Sequence, residues 1–400
     1  MRYVKHKFSE MDVSKVNASK NKRITVAGAG FAAITGVRKL RKLLPDARIT
    51  LVAPKPEFLY RPSLIWVPYG IRSPDDLLYD IRPLLQDLDV EYLQASVTGV
   101  SADGRTLETD AGPVENDALL IATGGRYIRK LPGIENAITI CEGIEAAERM
   151  KAGLEALDGG TIAVGFGGNP KEPSAVRGGP MFELLFGLDT WLRKEGKRDR
   201  VKLVFFTPAP RPGVRLGEKA VDKLLGEMEK RGIETHLGHK MKSFEDKVVR
   251  TEGGEFSADM ILFMPGMTGP AWMQGSPLPA SPGGMIQADE MTAVEGMERV
   301  FVAGDAGSYP GPDWMPKQAH MADLQATAAA KNIALNLVGK AASEKFKVEL
   351  LCIIDSLDQG ILIYRGEKRG LALPAMKPLH WAKRSFESTY LRHFRNAGKS

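Results

Sequence analysis

The chain has only two cysteines in 400 residues, too few for a disulfide framework and without the CxxC or clustered His/Cys spacing that a metal site requires. A reducing compartment follows as the simpler reading. The six histidines are scattered, and the one close pair, His236 and His239, has no third ligand nearby, so no metal is expected. No apolar run approaches the length of a bilayer span. The N-terminal stretch through Arg23 is basic and polar without a hydrophobic core, so it does not read as a secretory signal, and export is not expected. The 42 glycines and 25 prolines are spread over many loops rather than gathered in a low-complexity tract, which argues against disorder.

What is present is ordinary globular material, 43% hydrophobic and 26% charged, in a 43.7 kDa chain that exceeds what one hydrophobic core usually fills. Two domains plus an appendage are expected. The net charge of +6 is uneven. Residues 1–23 carry +5 and residues 365–400 carry +7, leaving −6 for the stretch between. A mildly acidic body argues against a nucleic-acid groove, while basic ends suit a solvated or membrane-facing role.

The first motif runs Arg23-Ile-Thr-Val-Ala-Gly28-Ala-Gly30-Phe-Ala-Ala33, a short apolar strand, a glycine turn and a helix through about Leu44, followed by a second strand from Arg48 to Ala53. This is a βαβ start in the form GxGxxA. Gly28 permits the tight turn, Gly30 lets a pyrophosphate approach the backbone, and Ala33 lets helix and strand pack closely. The acidic residue that often ends the second strand is replaced by Ala53-Pro54-Lys55, so the adenosine end of a dinucleotide must be held differently. Two further segments repeat the theme. Asp117 to Gly125 is an apolar strand closing on Thr123-Gly124, and Arg299 to Ala306 is a strand ending in Gly304-Asp305. An Ala-rich helix follows from about Lys317 to Leu337.

Together these three segments resemble the signature of flavoproteins with two dinucleotide-binding domains. That resemblance implies FAD, with Gly28, Gly30 and Ala33 at the pyrophosphate, Thr123 and Gly124 near the exit strand, and Asp305 on the ribitol. The helix near Lys317 would aim its positive end and a lysine at the pyrimidine side of the flavin. A second α/β unit starts at Thr161-Ile-Ala-Val-Gly165-Phe-Gly167-Gly168. Its glycines lead into a Pro-interrupted loop, residues 169–180, instead of directly into a helix. The phosphate-binding turn of an NAD(P)H site is therefore displaced.

More narrowly, the chain resembles the sulfide:quinone oxidoreductase and flavocytochrome c sulfide dehydrogenase family, the quinone-reducing branch in particular. The similarity runs from Ile24 to about Asn396. It is carried by Phe58-Leu-Tyr-Arg61-Pro-Ser-Leu-Ile-Trp66, Ile140-Cys141 with Ala146-Ala-Glu-Arg149, Met315-Pro316-Lys317, Leu351-Cys352-Ile-Ile-Asp355, and Lys377-Pro-Leu-His-Trp-Ala-Lys-Arg-Ser-Phe386. The resemblance implies an α/β fold with two Rossmann-like dinucleotide-binding domains, the first discontinuous, and a C-terminal membrane-contact region. A basic leader would occupy residues 1–22, the FAD-binding domain 23–125 and 285–340, the second domain 126–284, and the C-terminal region with its amphipathic basic helix 341–400. Ala53, Pro54, Lys55, Arg61, Gly304 and Lys377 join the expected FAD contacts.

The family's sulfide chemistry commonly uses a cysteine pair flanking the flavin. Cys352 sits where the C-terminal member would be, but residues 169–180 contain no partner. Cys141 looks like the additional cysteine that in some members lies by the flavin methyl groups. Each is equally open to a reading as a small buried apolar residue. Two histidines of close relatives are replaced, with Glu145 and Arg215 at the nearest positions. The expected catalytic groups are Cys352, Cys141, Lys317 and Glu145.

Read as a helix, the tail places Leu379, Ala382, Phe386, Tyr390 and Phe394 on one side and Arg384, Ser388, Arg392 and Arg395 on the other. An interfacial anchor on an anionic membrane follows, with a helix packed on the body as the alternative. The expected activity is electron transfer from sulfide or another sulfur donor through FAD to membrane quinone. The expected location is cytoplasmic, peripheral on the inner face of the cell membrane. No nucleic-acid partner is expected, and a homo-oligomer is compatible with the reading. The alternatives are a type II NADH:quinone dehydrogenase, a soluble sulfide dehydrogenase with a cytochrome partner, and a non-sulfide FAD-binding subunit of a larger assembly.

Overall fold

The computed structural model describes residues 20–399, so most of the basic leader lies outside the described residues. The first sheet is built from β1 (Arg23–Ala27), β2 (Arg48–Ala53), β3 (Val90–Gln94), β4 (Ala118–Ile121) and β10 (Val300–Val302). All its pairings are parallel, in the order β10-β4-β1-β2-β3. β4 reads Ala-Leu-Leu-Ile without alternation and every residue is buried, as a strand covered on both faces requires. Helix α1 (Phe31–Leu43) lies directly against β4, since a Cβ on Gly36 would come within 2.5 Å of Leu120 Cδ2.

The second sheet takes β5 (Ala137–Ile138), β6 (Gly160–Phe166), β7 (Val201–Thr207), β8 (Glu234–Leu237) and β9 (Met260–Met264) in the parallel order β5-β9-β6-β7-β8. Helix α2 (Ile144–Ala156) precedes β6, and α3 (Gly179–Lys194) and α4 (Glu218–Lys230) follow β6 and β7. Asp189 on α3, 1% exposed, fixes this layer by pairing with Arg193, Arg198 and Arg231. The α/β class with two parallel sheets is as expected from the sequence. Between β1 and α1 lie three residues, 28–30, whereas between β6 and α3 lie twelve, 167–178. The longer connection is a built loop. Asn169 Nδ2 donates to the carbonyls of Met267 (3.0 Å) and Gly283 (2.9 Å), and Ser281 Oγ donates to Glu172 Oε2 at 2.7 Å.

Helix α5 (Ala319–Leu337) returns to the first sheet and is tied to α1 by Thr35 Oγ1 donating to Asp323 Oδ1 at 2.5 Å. Then β11 (Glu349–Asp355), β12 (Gly360–Gly366) and β13 (Gly370–Ala372) form an antiparallel sheet, and α6 (Lys377–Asn396) closes the chain.

The inward face of α6 differs from the apolar stripe read in the sequence. Its buried residues are His380, Glu387, Leu391 and Phe394, with Lys383 beside them, while Phe386 is 57% exposed. The reason is electrostatic. Arg72 forks onto Glu387 with Nε 3.1 and 3.0 Å from the two carboxylate oxygens, Lys383 pairs with Glu183, and His380 Nδ1 lies 3.0 Å from Asp355 Oδ1. Asp355 also accepts from the indole of the fully buried Trp66 at 2.9 Å. Arg72 and Lys383 each stack their charge 5.3 Å from that ring. These partners come from distant parts of the chain, so helical periodicity alone does not reveal them. Tyr390 and Phe394 do face inward, joining Phe31, Phe58 and Tyr60 in an aromatic cluster. The helix is thus packed on the body along one side. No helix among the described residues is long and apolar enough to cross a membrane.

Candidate functional site

The parallel sheets end at one large cavity of about 1570 Å³. Of the residues singled out in the sequence, Gly30, Arg61, Thr123, Gly124, Cys141, Gly304, Asp305, Lys317 and Cys352 line it. Three helices start at its wall, α1 after Gly30, α3 after Gly178 and α5 after Gln318, and none has a side-chain cap. Their free N–H groups make this a region of positive potential.

The glycine turn explains itself locally. Gly28 has φ +118°, and a Cβ there would stand 2.3 Å from the Ala122 carbonyl oxygen, so only glycine lets β1 turn against β4. A Cβ on Gly30 would meet nothing within 4 Å, which leaves the α1 N-terminus open to a phosphate. Ala33 is fully buried in α1.

Other expected contacts lie elsewhere. Ala53 is buried at the end of β2, with Pro54 and Lys55 exposed beyond it and none of the three in the cavity wall. Lys377, the first residue of α6, is exposed and outside the wall, and so is Glu145 in the first turn of α2. For both, the helix start that bears the residue faces solvent. Lys317 does line the cavity, but its ammonium donates to the Gly307 carbonyl and lies 5.7 Å from the Tyr309 ring. Burial lowers its pKa to about 8.

The two cysteines occupy different walls. Cys141, 5% exposed, lies where Arg61 Nη1 donates to its carbonyl at 2.8 Å, and burial raises its thiol pKa. Cys352 on β11 faces the start of α3, where a Cβ on Gly179 would stand 3.8 Å from its Sγ. No second sulfur faces it there. Burial, reinforced by Glu183 and opposed by Lys383, pushes the Cys352 thiol up to about 12. Glu183 and Lys383 line the same wall as a buried ion pair, and burial raises the Glu183 carboxyl to about 7 despite the lysine.

Sequence reasoning missed Glu183, Lys383 and Arg177. Glu183 had a signal, a lone carboxylate in the apolar run Met181-Phe182-Glu183-Leu184-Leu185-Phe186. Lys383 had a weaker one, its spacing of three from His380 and four from Glu387. Arg177, from the loop after β6, reaches across to pair with Asp305 and donates to the Tyr127 hydroxyl at 3.2 Å. Nothing local predicts that pairing, which joins residues 128 apart.

The donor set fits FAD. The open Gly30 turn under an uncapped helix suits a pyrophosphate, Asp305 offers a carboxylate to a polyol, and the volume exceeds the roughly 300–1,000 Å³ of common small-molecule sites. Two cavity residues carry buried polar atoms without a protein partner, Arg215 Nε and Gln318 Oε1. Among the described residues no group of His, Cys, Asp or Glu is placed to hold a metal.

Residues 22–326 match the model of the pyridine nucleotide-disulphide oxidoreductases. The sulfide-quinone reductase of Aquifex aeolicus is 26% identical over 94% of this chain and 91% of its own length. The type II NADH:quinone oxidoreductase of Staphylococcus aureus is 25% identical over 92% and 94%. The X-ray structure of the Aquifex aeolicus sulfide:quinone oxidoreductase superposes with a TM-score of 0.84 at 25% identity, covering 94% of this chain and 92% of that one. NDH2 of Plasmodium falciparum in complex with NADH, 13% identical with a TM-score of 0.70 over 95% and 98%, shares the fold.

Proposed function

The chain belongs to the pyridine nucleotide-disulphide oxidoreductase family, and on that footing we propose that it is an FAD-dependent oxidoreductase of the sulfide:quinone type. It takes electrons from a sulfur donor and passes them to quinone. The similarity to the sulfide-quinone reductase extends over nearly the whole chain and includes the segments around Cys141, Lys317 and Cys352. The observation that carries the reading is a thiol, Cys352, in the wall of the cavity that also holds the dinucleotide turn.

Bound there, FAD supplies a two-electron acceptor that one substrate fills and another empties. Gly28, Gly30 and the N-terminus of α1 would hold its pyrophosphate, with Arg61, Thr123, Gly124 and Gly304 as further wall and Asp305, paired with Arg177 through Oδ2, offering Oδ1 to a polyol hydroxyl. The uncapped start of α5 supplies fixed positive potential even though the Lys317 ammonium is engaged at Gly307. Cys352 Sγ would join the donor's sulfur in an S–S bond, the two electrons released by that oxidation being those the bound FAD would accept. With its pKa pushed to about 12, the thiol needs a proton acceptor, and Glu183 is the neighbouring carboxylate that titrates near neutrality. Lys383 holds that carboxylate in place and compensates its charge.

Quinone approaches past α6, whose Lys383, Phe386 and Tyr390 line the cavity and whose Trp381 is 62% exposed. A basic helix with exposed aromatic residues lies against the anionic inner face of the cell membrane, where quinone is dissolved. Gly179 opposite Cys352 removes the second arm of a sulfur shuttle, so bare sulfide reduces the protein slowly.

The type II NADH:quinone reading is weaker despite its sequence match, because the twelve-residue loop before α3 replaces the short phosphate-binding turn. The test is anaerobic flavin bleaching with sulfide. The wild type bleaches slowly and Cys352→Ser does not, while fast bleaching that survives the substitution refutes the role of Cys352.

A further inference from the structure

Arg215 stands on the donor side of the cavity, in the turn Val214–Leu216 that precedes α4. Its guanidinium donates to three backbone carbonyls, those of Ser174 at 3.4 Å, Val176 at 3.3 Å and Met315, and to no carboxylate. Its Nε is buried with no acceptor. Carbonyls fix the orientation of such a fork without neutralising its charge. The charged neighbours acting on it are the exposed Asp313, the guanidinium of Arg365 and the buried ammonium of Lys317, so it has cations on two sides and no buried carboxylate.

Two connections run from this cation to the strand and loop that flank the thiol. Arg365 on β12 donates to the Arg215 carbonyl at 2.8 Å and pairs in register with Leu350, two residues before Cys352 on β11. Val176, bonded to the guanidinium, lies three residues before Gly179, the residue facing Cys352 Sγ. Arg61 and Arg126 also donate only to carbonyls, those of Cys141, Glu142 and Gly269, but on the cofactor side, and Arg177 is committed to Asp305.

We propose that the donor side of the cavity binds a small sulfur compound carrying an anionic oxygen group, a carboxylate or a sulfonate, through Arg215, with the compound's sulfur directed at Cys352. The inference rests on the proposed function and narrows its donor. A half-buried guanidinium with free donors pairs best with two oxygens of one oxoanion, and a bare hydrosulfide ion has none to offer. Gly179 leaves room beside the thiol where a side chain would otherwise stand.

The test is calorimetric titration of the purified holoprotein with mercaptoacetate, thiosulfate and neutral mercaptoethanol. At least one of the two anions binds about tenfold or more tightly than mercaptoethanol. The comparison between mercaptoacetate and thiosulfate distinguishes carboxylate from sulfonate. Arg215→Gln brings the anion down to the affinity of mercaptoethanol while FAD content stays at one per chain. Equal affinities of all three probes in the wild type, or a preference undiminished in Arg215→Gln, overturns the proposal. If that variant loses FAD, Arg215→Lys, which keeps the charge and loses the fork, serves instead. A reduced preference then supports the site, and an unchanged one overturns it. These titrations need no turnover, so their failure is distinct from failure of the electron-transfer reading, which shows as absent flavin bleaching by any sulfur donor.

Discussion

Glu183 is the residue on which the chemistry and the stability of the fold meet. Its carboxyl sits among Lys383, Cys352 and Asp355, and burial raises it to about 7. The folded state therefore binds its proton more firmly than the unfolded chain does. Its contribution to stability is present below the usual carboxylate range and is lost as pH rises through about 7. If Glu183 accepts the Cys352 proton it must be ionised to do so, and donor-dependent flavin bleaching then rises with pH through the same range. Glu183→Gln should flatten both dependences, seen in stopped-flow rates and in thermal midpoints between pH 5 and 8. Near pH 5, where Glu183 is itself largely protonated, the variant's thermal midpoint should stay close to that of the wild type. An unchanged rate profile in the variant would place the proton elsewhere.

Among the secondary-structure elements, the glycine turns and α6 show where sequence reading succeeds and where it stops. The turn at Gly28 to Gly30 was legible because its requirement is local. A positive φ, an open phosphate approach and the flanking strand and helix all lie within a dozen residues. Cys352 was singled out by the resemblance and not by its surroundings, since the apolar run of β11 by itself reads as core. The inward face of α6 was not, because it is chosen by Arg72, Glu183 and Asp355, all far away in sequence. Likewise Arg177 meets Asp305 only once both sheets are assembled.

The same helix carries a prediction about membranes. Its inner side is fixed by ion pairs and part of it lines the cavity, so removing it would disturb more than a surface contact. Trp381 and Phe386, 62% and 57% exposed, are the better probes. The double change Trp381→Ser and Phe386→Ser should lower cosedimentation with anionic liposomes severalfold while FAD remains bound. Undiminished cosedimentation would remove α6 from the membrane contact.

At the scale of the whole molecule, two parallel sheets, an antiparallel sheet and α6 enclose one large cavity, which in the proposed function serves cofactor, donor and acceptor together. In that proposal the loop from Gly167 to Gly178 decides what kind of donor the cavity admits. It stands where a short phosphate-binding turn would be, and it is anchored by Asn169 and Glu172. The most direct measurement is anaerobic stopped-flow of the purified yellow protein, following flavin absorbance after mixing with NADH or with a sulfur donor in separate runs. Bleaching by the sulfur donor, reversed by a quinone analogue, with no bleaching at micromolar NADH, is the result the structure predicts. Rapid bleaching by NADH with none by any sulfur donor would contradict it.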